Sequence, residues 1–350
     1  MVLENWLNLK DDKFLLANKK EIYLGIGIKQ EIDFKDIDKY DNLIFIMKQF
    51  FQEDDLNIWS NFPSCGIIPN QIYKIKRPKN IEEYNFKTIS YSMNKYNYKD
   101  WQSQFENVIS KIKNKECEKI VLSREVKINL NETLSHKQIF YRLLKENPNS
   151  YIFMFQRNNN LFFGATPERL VSKKNEVISI DALAGTAVNN EENKKSLVLD
   201  KKNQKEHIIV VDNIVKKIKD MSFELKVENQ KILELKNIIH LKTPIKAKSK
   251  QSLMDFINKL HPTPALGGEP SKLSVNYIKK FEIYPRGLYG APIGYTENKD
   301  GLAVVGIRSG LLKDKTLHVF AGGGIVEDSI CLDEYKETEK KLESILAVLK

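Results

Sequence analysis

The sequence predicts an α+β fold, in which strands and helices occupy separate stretches of the chain. Short runs of β-branched and aromatic residues follow one another, and amphipathic helical patterns stand between groups of them. The regular strand–helix alternation that builds a doubly wound parallel sheet is missing. Hydrophobic residues make up 41% and charged residues 29% of the 350 positions, which excludes a disordered or collagen-like chain.

Seven segments have the composition of strands. They are rich in valine, isoleucine, leucine and phenylalanine, and glycine, asparagine or lysine residues bound most of them. The predicted strands cover residues 119–128, 151–157, 161–166, 176–185, 288–295, 301–312 and 316–322.

Five segments have the three- and four-residue apolar spacing of helices. The pattern predicts a helix from Lys99 with Trp101, Phe105, Val108, Ile109 and Ile112 on one face; a helix with Ile139, Phe140, Leu143 and Leu144 that ends before Pro148; a long helix over about 192–220 with Ile208, Val211, Val215 and Ile218 buried; a helix with Leu253, Phe256, Ile257 and Leu260; and a last helix carrying Tyr335, Leu342, Ile345, Leu346 and Leu349.

The charge and the cysteines limit the partners and the compartment. Lys plus Arg exceed Asp plus Glu by 56 − 46 = +10, but only seven residues are arginine, the side chain that best grips phosphates, so we expect no nucleic-acid partner. No apolar run approaches the roughly 18 residues that cross a bilayer, and the start lacks a signal peptide, so we expect a cytoplasmic protein without a membrane partner. The three cysteines lack CxxC spacing, which argues against disulfides and a thiolate zinc site.

The chain divides into a supporting and a chemistry-bearing region of one domain. Residues 1–95 contain no chemical motif and are interpreted as a supporting subregion, whereas residues 96–350 contain the motifs described below. Eleven of the sixteen glycines lie from Gly267 onward, which favours a functional surface in the last quarter of the chain.

Acidic residues on two predicted helices are candidate metal ligands. Glu334 and Glu337 are three residues apart, hence on one helix face, and Glu206 lies on another helix. Carboxylates of this kind are the oxygen ligands that Mg²⁺ accepts. Taken alone, glutamates in a lysine-rich helix are more often solvated surface residues.

Two further residues are candidates for acid–base chemistry. Glu168 follows a proline at the end of an apolar strand, and Lys119 begins another strand. Burial raises the pKa of a carboxyl group and lowers that of a lysine, which suits them to act as acid and base. The glycine triplet Gly322-Gly323-Gly324 fits neither the dinucleotide nor the P-loop pattern, so nucleotide binding is not supported.

Eight motifs, in this order, resemble the chorismate-utilising enzymes, a family that includes isochorismate synthase, salicylate synthase, anthranilate synthase component I and aminodeoxychorismate synthase. The resemblance covers roughly residues 100–349. It implies two layered antiparallel β-sheets with helices packed outside and a Mg²⁺ site between the sheets. The motifs are KIVLSR (119–124), FGATPERL (163–170), ALAGT (182–186), KEH (205–207), HPTPALGGEP (261–270), RGLYGAPIGY (286–295), GIRSGLL (306–312) and FAGGGIVEDS (320–329) followed by EYKET (334–338).

The resemblance also implies roles for individual residues. Lys119 would activate water, and Glu168 would protonate the departing hydroxyl group. Mg²⁺ would be held by Glu206 and Glu337, with Glu334 nearby. The substrate-binding positions would be Tyr289, Arg308, Gly323, Gly324, Lys341, Thr186 and His261.

Two positions favour one reaction of the family. Ammonia-using members typically carry Gln at the position of Lys119, and aminodeoxychorismate synthases carry a nucleophilic lysine at the position of Ala184. The resemblance therefore favours isochorismate synthase acting on chorismate without an obligatory protein partner. Salicylate synthase is the alternative, and anthranilate synthase component I is less favoured. Either menaquinone or siderophore biosynthesis would use the product.

The chain departs from the family pattern at several positions. Ile330 and Cys331 replace the last two residues of the usual DSDP, Asn203 replaces an acidic residue, and Leu288 replaces the tryptophan of RGWY. These departures bear on substrate affinity and rate more than on reaction type.

Overall fold

A computed structural model describes residues 2–51, 58–78, 84–93 and 98–350. Within these residues every strand pairing is antiparallel, and the strands form two sheets that pack face to face. This arrangement confirms the predicted α+β class and the two-sheet architecture that the family resemblance implied.

The first sheet contains ten strands of the described chain, in the order β16-β8-β20-β19-β10-β9-β1-β2-β6, and β7 also pairs with β8. The long β8–β20 ladder places the Lys119 strand beside the strand of the glycine triplet, with Leu122 opposite Gly323. The strands are β1 (Lys13–Ala17), β2 (Glu21–Ile26), β6 (Gln71–Lys76), β7 (Tyr91–Met93), β8 (Lys119–Leu130), β9 (Tyr151–Arg157), β10 (Asn160–Thr166), β16 (Gly268–Glu269), β19 (Ser309–Lys313) and β20 (Thr316–Ile325).

The second sheet also contains ten described strands, in the order β13-β15-β12-β11-β18-β17-β4-β5-β3, and β14 also pairs with β15. Strands before residue 95 occur in both sheets, so the supporting region and the remainder of the chain share the same sheets. The strands are β3 (Gln30–Asp33), β4 (Ile44–Met47), β5 (Cys65–Ile68), β11 (Arg169–Lys174), β12 (Val177–Val188), β13 (Glu224–Val227), β14 (Lys231–Glu234), β15 (Ile238–Lys248), β17 (Pro292–Glu297) and β18 (Asp300–Val305).

Helices cover the outer faces of both sheets. Helices α1, α3 and α8 bury their apolar faces against the first sheet, whereas α5 and α6 pack on the second, and α2 and α7 lie against β8. No helix of the described residues is long and apolar enough to cross a membrane. The helices are α1 (Val2–Asn8), α2 (Tyr98–Lys113), α3 (His136–Glu146), α4 (Glu191–Ser196), α5 (Lys201–Ile218), α6 (Leu253–Leu260), α7 (Ser271–Phe281) and α8 (Cys331–Leu346).

The long helix predicted over 192–220 is two helices. Of its predicted face, Ile218 is buried and Val211 and Val215 are partly buried against the core, whereas the prediction for Ile208 was wrong. The chain breaks after Ser196, and the carboxylate of Asp200 caps α5 by accepting a hydrogen bond from the backbone N–H of Asn203. The residues that α5 buries are His207, Val210, Ile214 and Ile218, whereas Ile208 is 52% exposed. The placement of His207 inward turns the neighbouring Glu206 towards the space between the sheets.

Two strand predictions near the end of the chain were wrong in their bounds. The strand predicted over 288–295 begins only at Pro292, because Gly287 and Gly290 have positive φ angles and form a turn before it. The segment 301–312 is two strands, β18 in the second sheet and β19 in the first. The crossing between the sheets includes Arg308, which has a φ of +50°. A crossing at this point brings Arg308 into the gap between the layers.

The core between the sheets is rich in aromatic side chains. Phe162 is fully buried, and its ring centroid lies 5.3 Å from that of Trp59 and 5.1 Å from that of Phe153. Aromatic clusters of this kind contribute stability through buried area and through ring contacts. This cluster therefore holds the two sheets together.

Replacing Phe162 should destabilise the protein strongly. We expect Phe162→Ala to lower the free energy of unfolding by about 3–5 kcal/mol, since it removes a large side chain and leaves a cavity. The measurement is denaturant-induced unfolding followed by tryptophan fluorescence. Phe223→Ala is the control: Phe223 is 56% exposed, and its removal should change stability by no more than about 0.5 kcal/mol. Equal effects would contradict the assignment of Phe162 to the inter-sheet core.

Candidate active site

A cavity between the two sheets gathers most of the predicted site residues. It has about 620 Å³ of space free of protein atoms, including the open solvent at its mouth. Strands β12, β15 and β20, helices α5 and α8, and the turns before β11, β17 and β19 contribute to its wall. The predicted residues that line it are Glu168, Thr186, Glu206, Tyr289, Arg308, Gly323, Gly324 and Lys341.

Glu168 lies where the chain leaves the first sheet after β10 and enters the second as β11. Its side chain lines the cavity, and only 4% of the residue is exposed. Burial raises the pKa of its carboxyl group to about 8, although the positive charges of Lys119, Lys341 and Arg308 act in the opposite direction. Glu168 therefore carries a proton at neutral pH and is able to donate it.

Lys119 is fully buried at the start of β8 and pairs with Glu206 of α5. Its Nζ lies 2.9 Å from Glu206 Oε1. Burial acts to raise the pKa of Glu206, but the Lys119 ammonium and more distant lysines outweigh it and hold that pKa below its usual value. Lys119 does not line the cavity itself. It contacts Glu206, and Glu206 lines the cavity.

The glycine at position 324 makes room for this ion pair. A Cβ atom added to Gly324 would lie 2.3 Å from Glu206 Oε1 and 2.6 Å from Lys119 Cε. Any side chain here would therefore displace the pair. The requirement for glycine comes from the close approach of charged side chains to strand β20.

The two glutamates of α8 are also paired with lysines. Glu334 is 2% exposed and forms an ion pair with Lys202, and it accepts a hydrogen bond of 2.7 Å from Ser329 Oγ. Glu337 pairs with Lys341 at 2.6 Å, and Lys341 Nζ also donates to the carbonyl oxygen of Gly322 at 2.7 Å. Both glutamates point towards Gly323, whose added Cβ would lie 3.0 Å from Glu334 Oε2 and 4.0 Å from Glu337 Oε1.

The negative charge at these glutamates favours a cation. Burial, followed by the charge of Glu337, raises the pKa of Glu334 to about 7. In the described part of the chain no three acidic, histidine or cysteine side chains converge into a ready-made metal site. The residues predicted as metal ligands thus lie around two adjacent glycines, with each carboxylate turned towards a lysine.

Arg308 and Tyr289 form another part of the cavity wall. The guanidinium Nη2 of Arg308 lies 3.0 Å from His240 Nε2. Burial lowers the pKa of Arg308 to about 10, so it remains positively charged at neutral pH. Tyr289 stacks on Phe320 with ring centroids 5.4 Å apart, and burial raises the pKa of its phenol. A buried cation beside a phenol is suited to binding a carboxylate.

His240 is a site residue that the sequence analysis missed. It lines the cavity from β15, a strand that was not predicted, and its Nδ1 lies 3.1 Å from Thr186 Oγ1 and 3.2 Å from the Gly185 carbonyl oxygen. Burial and the charge of Arg308 keep the pKa of His240 well below its usual value. The neutral ring therefore accepts a hydrogen bond from Arg308 and fixes its position. A histidine within the apolar stretch Ile238–Leu241 was the available signal.

His261 was predicted to bind substrate but does not line the cavity. It follows α6 as the C-terminal cap, and its ring packs edge-on against Phe50 with centroids 5.3 Å apart. Burial lowers its pKa to about 3, so it is neutral. Ala265 and Leu266 of the same motif face the cavity instead. The structure places His261 in a packing position.

The family assignment follows from the sequence comparisons. Residues 66–350 match the model of a family described as chorismate binding enzyme. The chain therefore belongs to this family, which confirms the resemblance that the motifs indicated.

The relatives include proteins with two different reactions. Over 260 residues the chain is 37% identical to isochorismate synthase MenF of Bacillus subtilis, covering 71% of this chain and 55% of that protein. It is 31% identical to isochorismate synthase EntC of Escherichia coli K12, covering 71% and 67%, and 32% identical to anthranilate synthase component 1 of Lactococcus lactis, covering 71% and 57%. The chain thus spans little more than half the length of some relatives.

Solved structures show the same fold. The menaquinone-specific isochorismate synthase MenF of Escherichia coli superposes with a TM-score of 0.87 at 19% identity, over 100% of this chain and 91% of that one. Anthranilate synthase component I of Streptococcus pneumoniae gives 0.76 at 20% identity, over 97% and 93%. At these identities the structural likeness establishes the fold and does not by itself establish the reaction.

The buried proton on Glu168 predicts a pH-dependent stability. In the unfolded chain a glutamate ionises near pH 4.3, whereas folded Glu168 ionises at about pH 8. The cost of its burial is therefore absent below about pH 4, grows as pH rises between these values, and is fully present above pH 8.

We expect Glu168→Gln to gain stability relative to the native chain by a few kcal/mol as the pH rises from about 5 to 9. Urea denaturation at several pH values measures the difference. Glu297→Gln replaces an exposed glutamate and should follow the native chain throughout. A pH-independent difference for Glu168→Gln would show that Glu168 is ionised in the folded protein.

Proposed function

We propose that this chain is an isochorismate synthase, which converts chorismate reversibly to isochorismate. The observation that carries the proposal is a cavity with anion-binding groups that is lined by a buried and protonated acid, Glu168, and by Glu206, whose carboxylate is ion-paired with the buried amine of Lys119. The relatives MenF and EntC support this reaction.

The reaction needs one base and one acid. Lys119, whose ammonium proton is first released to solvent, removes a proton from a water molecule as the oxygen of that water bonds to C2 of the ring. Both ring double bonds shift by one position, the bond between C4 and its oxygen breaks, and Glu168 gives its proton to the departing hydroxyl group, which leaves as water. Proton exchange with solvent after the reaction returns Lys119 and Glu168 to their starting states. One water enters and one leaves, so the product is an isomer of the substrate. Each proton transfer of this kind contributes roughly 10²- to 10⁴-fold.

The substrate is a dianion, and two carboxylates need two separate positive partners. Arg308, which is positioned by His240, and Tyr289 offer one and would hold the pyruvyl carboxylate. The other carboxylate, on the ring, requires positive charge near the glutamates, where Lys341 already lines the cavity. Fixing both ends aligns the ring between base and acid, which lowers the entropy cost of the reaction.

The donor set around Gly323 and Gly324 suits Mg²⁺. The carboxylates of Glu206, Glu334 and Glu337 supply oxygen ligands, which Mg²⁺ prefers. Burial, and after it the charge of Glu337, raises the pKa of Glu334, and a cation would favour the ionised form of this carboxyl group. These three residues would hold the ion. A bound Mg²⁺ would neutralise the ring carboxylate.

Lys119 also separates this reaction from the ammonia-dependent one. The relatives of the chain include an anthranilate synthase component. A lysine is suited to deprotonate water, whereas ammonia needs no such base. Position 184 is alanine, so the site lacks a lysine there that could form a covalent intermediate. Salicylate synthase, which would go on to eliminate pyruvate, is the remaining alternative.

Product analysis distinguishes these reactions. Incubation of the chain with chorismate and Mg²⁺ should yield isochorismate, separated by liquid chromatography, and chelation of the metal should abolish it. Salicylate with pyruvate would instead identify a salicylate synthase, and anthranilate in the presence of ammonium would identify an anthranilate synthase component. If the chain forms none of the three products, the proposed function is contradicted.

Removal of Lys119 should impair chemistry more than binding. We expect Lys119→Ala to lower kcat by at least about 100-fold, with a change of only a few-fold in KM, because the base is lost and the anion-binding groups remain. The measurement is steady-state kinetics with isochorismate detection. Lys127→Ala, on the exposed part of the same strand, should keep native kinetics. Undiminished turnover by Lys119→Ala would rule it out as the base.

A further inference from the structure

A second cavity adjoins the candidate active site. It holds about 970 Å³ of atom-free space including its mouth, and lies between the last turns of α3 and α8 and the turn that joins β14 to β15. Arg308 lines both this cavity and the active-site cavity. The two spaces therefore meet at the residue that is positioned to bind a substrate carboxylate.

The second cavity also lies beside other site residues along the chain. Lys340, which lines it, precedes Lys341 of the active site on α8. Ile238, which also lines it, is two residues from His240 on β15. Two separate elements thus lead directly from the wall of the second cavity into the wall of the first.

The lining of the second cavity is predominantly basic. Both acidic side chains already have partners: Glu146 pairs with Lys236 and lies 3.7 Å from Arg142, and Glu343 lies 3.5 Å from Lys340. Asn237 also donates a hydrogen bond of 3.3 Å to Glu343. The charged lining residues are Arg142, Lys236, Arg308, Lys340 and Lys350 against Glu146 and Glu343.

The cations at the mouth remain in contact with water. The side chains of Lys236 and Lys340 are 64% and 48% exposed. Exposed charges attract an oppositely charged solute over a distance set by the Debye length, which is about 30 Å at 0.01 M salt and about 10 Å at 0.1 M. An excess of positive charge around a concave entrance concentrates anions there and speeds their association.

We propose that this second cavity is the entrance through which a small dicarboxylate reaches the active site, attracted by the net positive charge of the lining and passed to Arg308. Lys236 and Lys340 are ion-paired with Glu146 and Glu343, and they contribute two of the five positive charges that outnumber those two carboxylates. The proposal rests on the proposed function, because it takes the substrate to be a dianion. The turn 235–237 is held on one side by Glu146 of α3 and on the other by Glu343 of α8. It therefore forms part of the rim that the substrate passes.

Charge reversal at the entrance tests the electrostatic part. For the double variant Lys236→Glu/Lys340→Glu we expect kcat/KM for chorismate to fall about 10-fold at about 0.01 M salt, and less than about 2-fold at about 0.5 M, because salt screens exposed charges. The kcat should stay within about 2-fold, since neither lysine touches the reacting ring.

A matched double variant separates local from global charge. Lys127→Glu/Lys226→Glu changes the net charge equally at two exposed residues of β8 and β13 that do not line the cavity, and it should remain near native at both salt concentrations. A salt-independent loss in the entrance variant, or an equal loss in the control, would overturn the proposal.

Blocking the opening tests the route itself. Lys236→Cys should be active until it reacts with a bulky maleimide, after which turnover should fall at least 10-fold. The native chain treated with the same reagent controls for Cys65, Cys117 and Cys331. If the labelled variant keeps native turnover, the route is wrong while the proposed function stands; if the untreated native chain forms no isochorismate, the proposed function itself fails.

Discussion

The burial of charge against a strand without side chains is the constraint on which this site depends. Strand β20 presents glycine at 323 and 324, and these positions are occupied by the carboxylates and the lysine stem of neighbouring elements instead of Cβ atoms. Lys119 comes from a strand of one sheet and Glu206 from a helix on the other, and Lys119 Nζ lies 2.9 Å from Glu206 Oε1 beside these glycines. The free energy of an unpaired charge in such a place would be unfavourable by several kcal/mol. The layers must therefore keep both partners in register.

The same burial separates the chemical roles of similar side chains. Glu168 and Glu206 are both enclosed, yet Glu168 lies among groups that do not overcome its desolvation and keeps its proton, whereas Glu206 contacts an ammonium group and stays ionised. An acid and an anion are thus obtained from one residue type. This difference arises from the surroundings: Lys119 acts on Glu206 through a hydrogen bond as well as through its charge, whereas it acts on Glu168 through its charge alone.

Arg308 connects the fold to the binding of anions. Its backbone lies at the point where the chain crosses from the second sheet to the first, and its side chain donates to a neutral histidine from a third strand. The residue lines both cavities. The crossing between sheets therefore accounts for a positive charge that is buried but lies next to both cavities, where we propose that it binds a carboxylate.

The sequence by itself determined the α+β class, the family and most of the predicted residues that line the cavity, because composition and the order of motifs can be read along the chain. Strand 151–157 and helix 253–260 agree with the structure, since their apolar spacing reflects direct contact with the core. Only the tertiary structure decided that 301–312 supplies both sheets, that His261 packs against Phe50, and that His240 supports Arg308. These outcomes depend on contacts between residues far apart in the chain: Phe50 and His261 are 261 − 50 = 211 positions apart, and Arg308 and His240 are 68 positions apart. No local pattern encodes such pairings, because a side chain acquires its partner and its pKa only when distant strands are brought together.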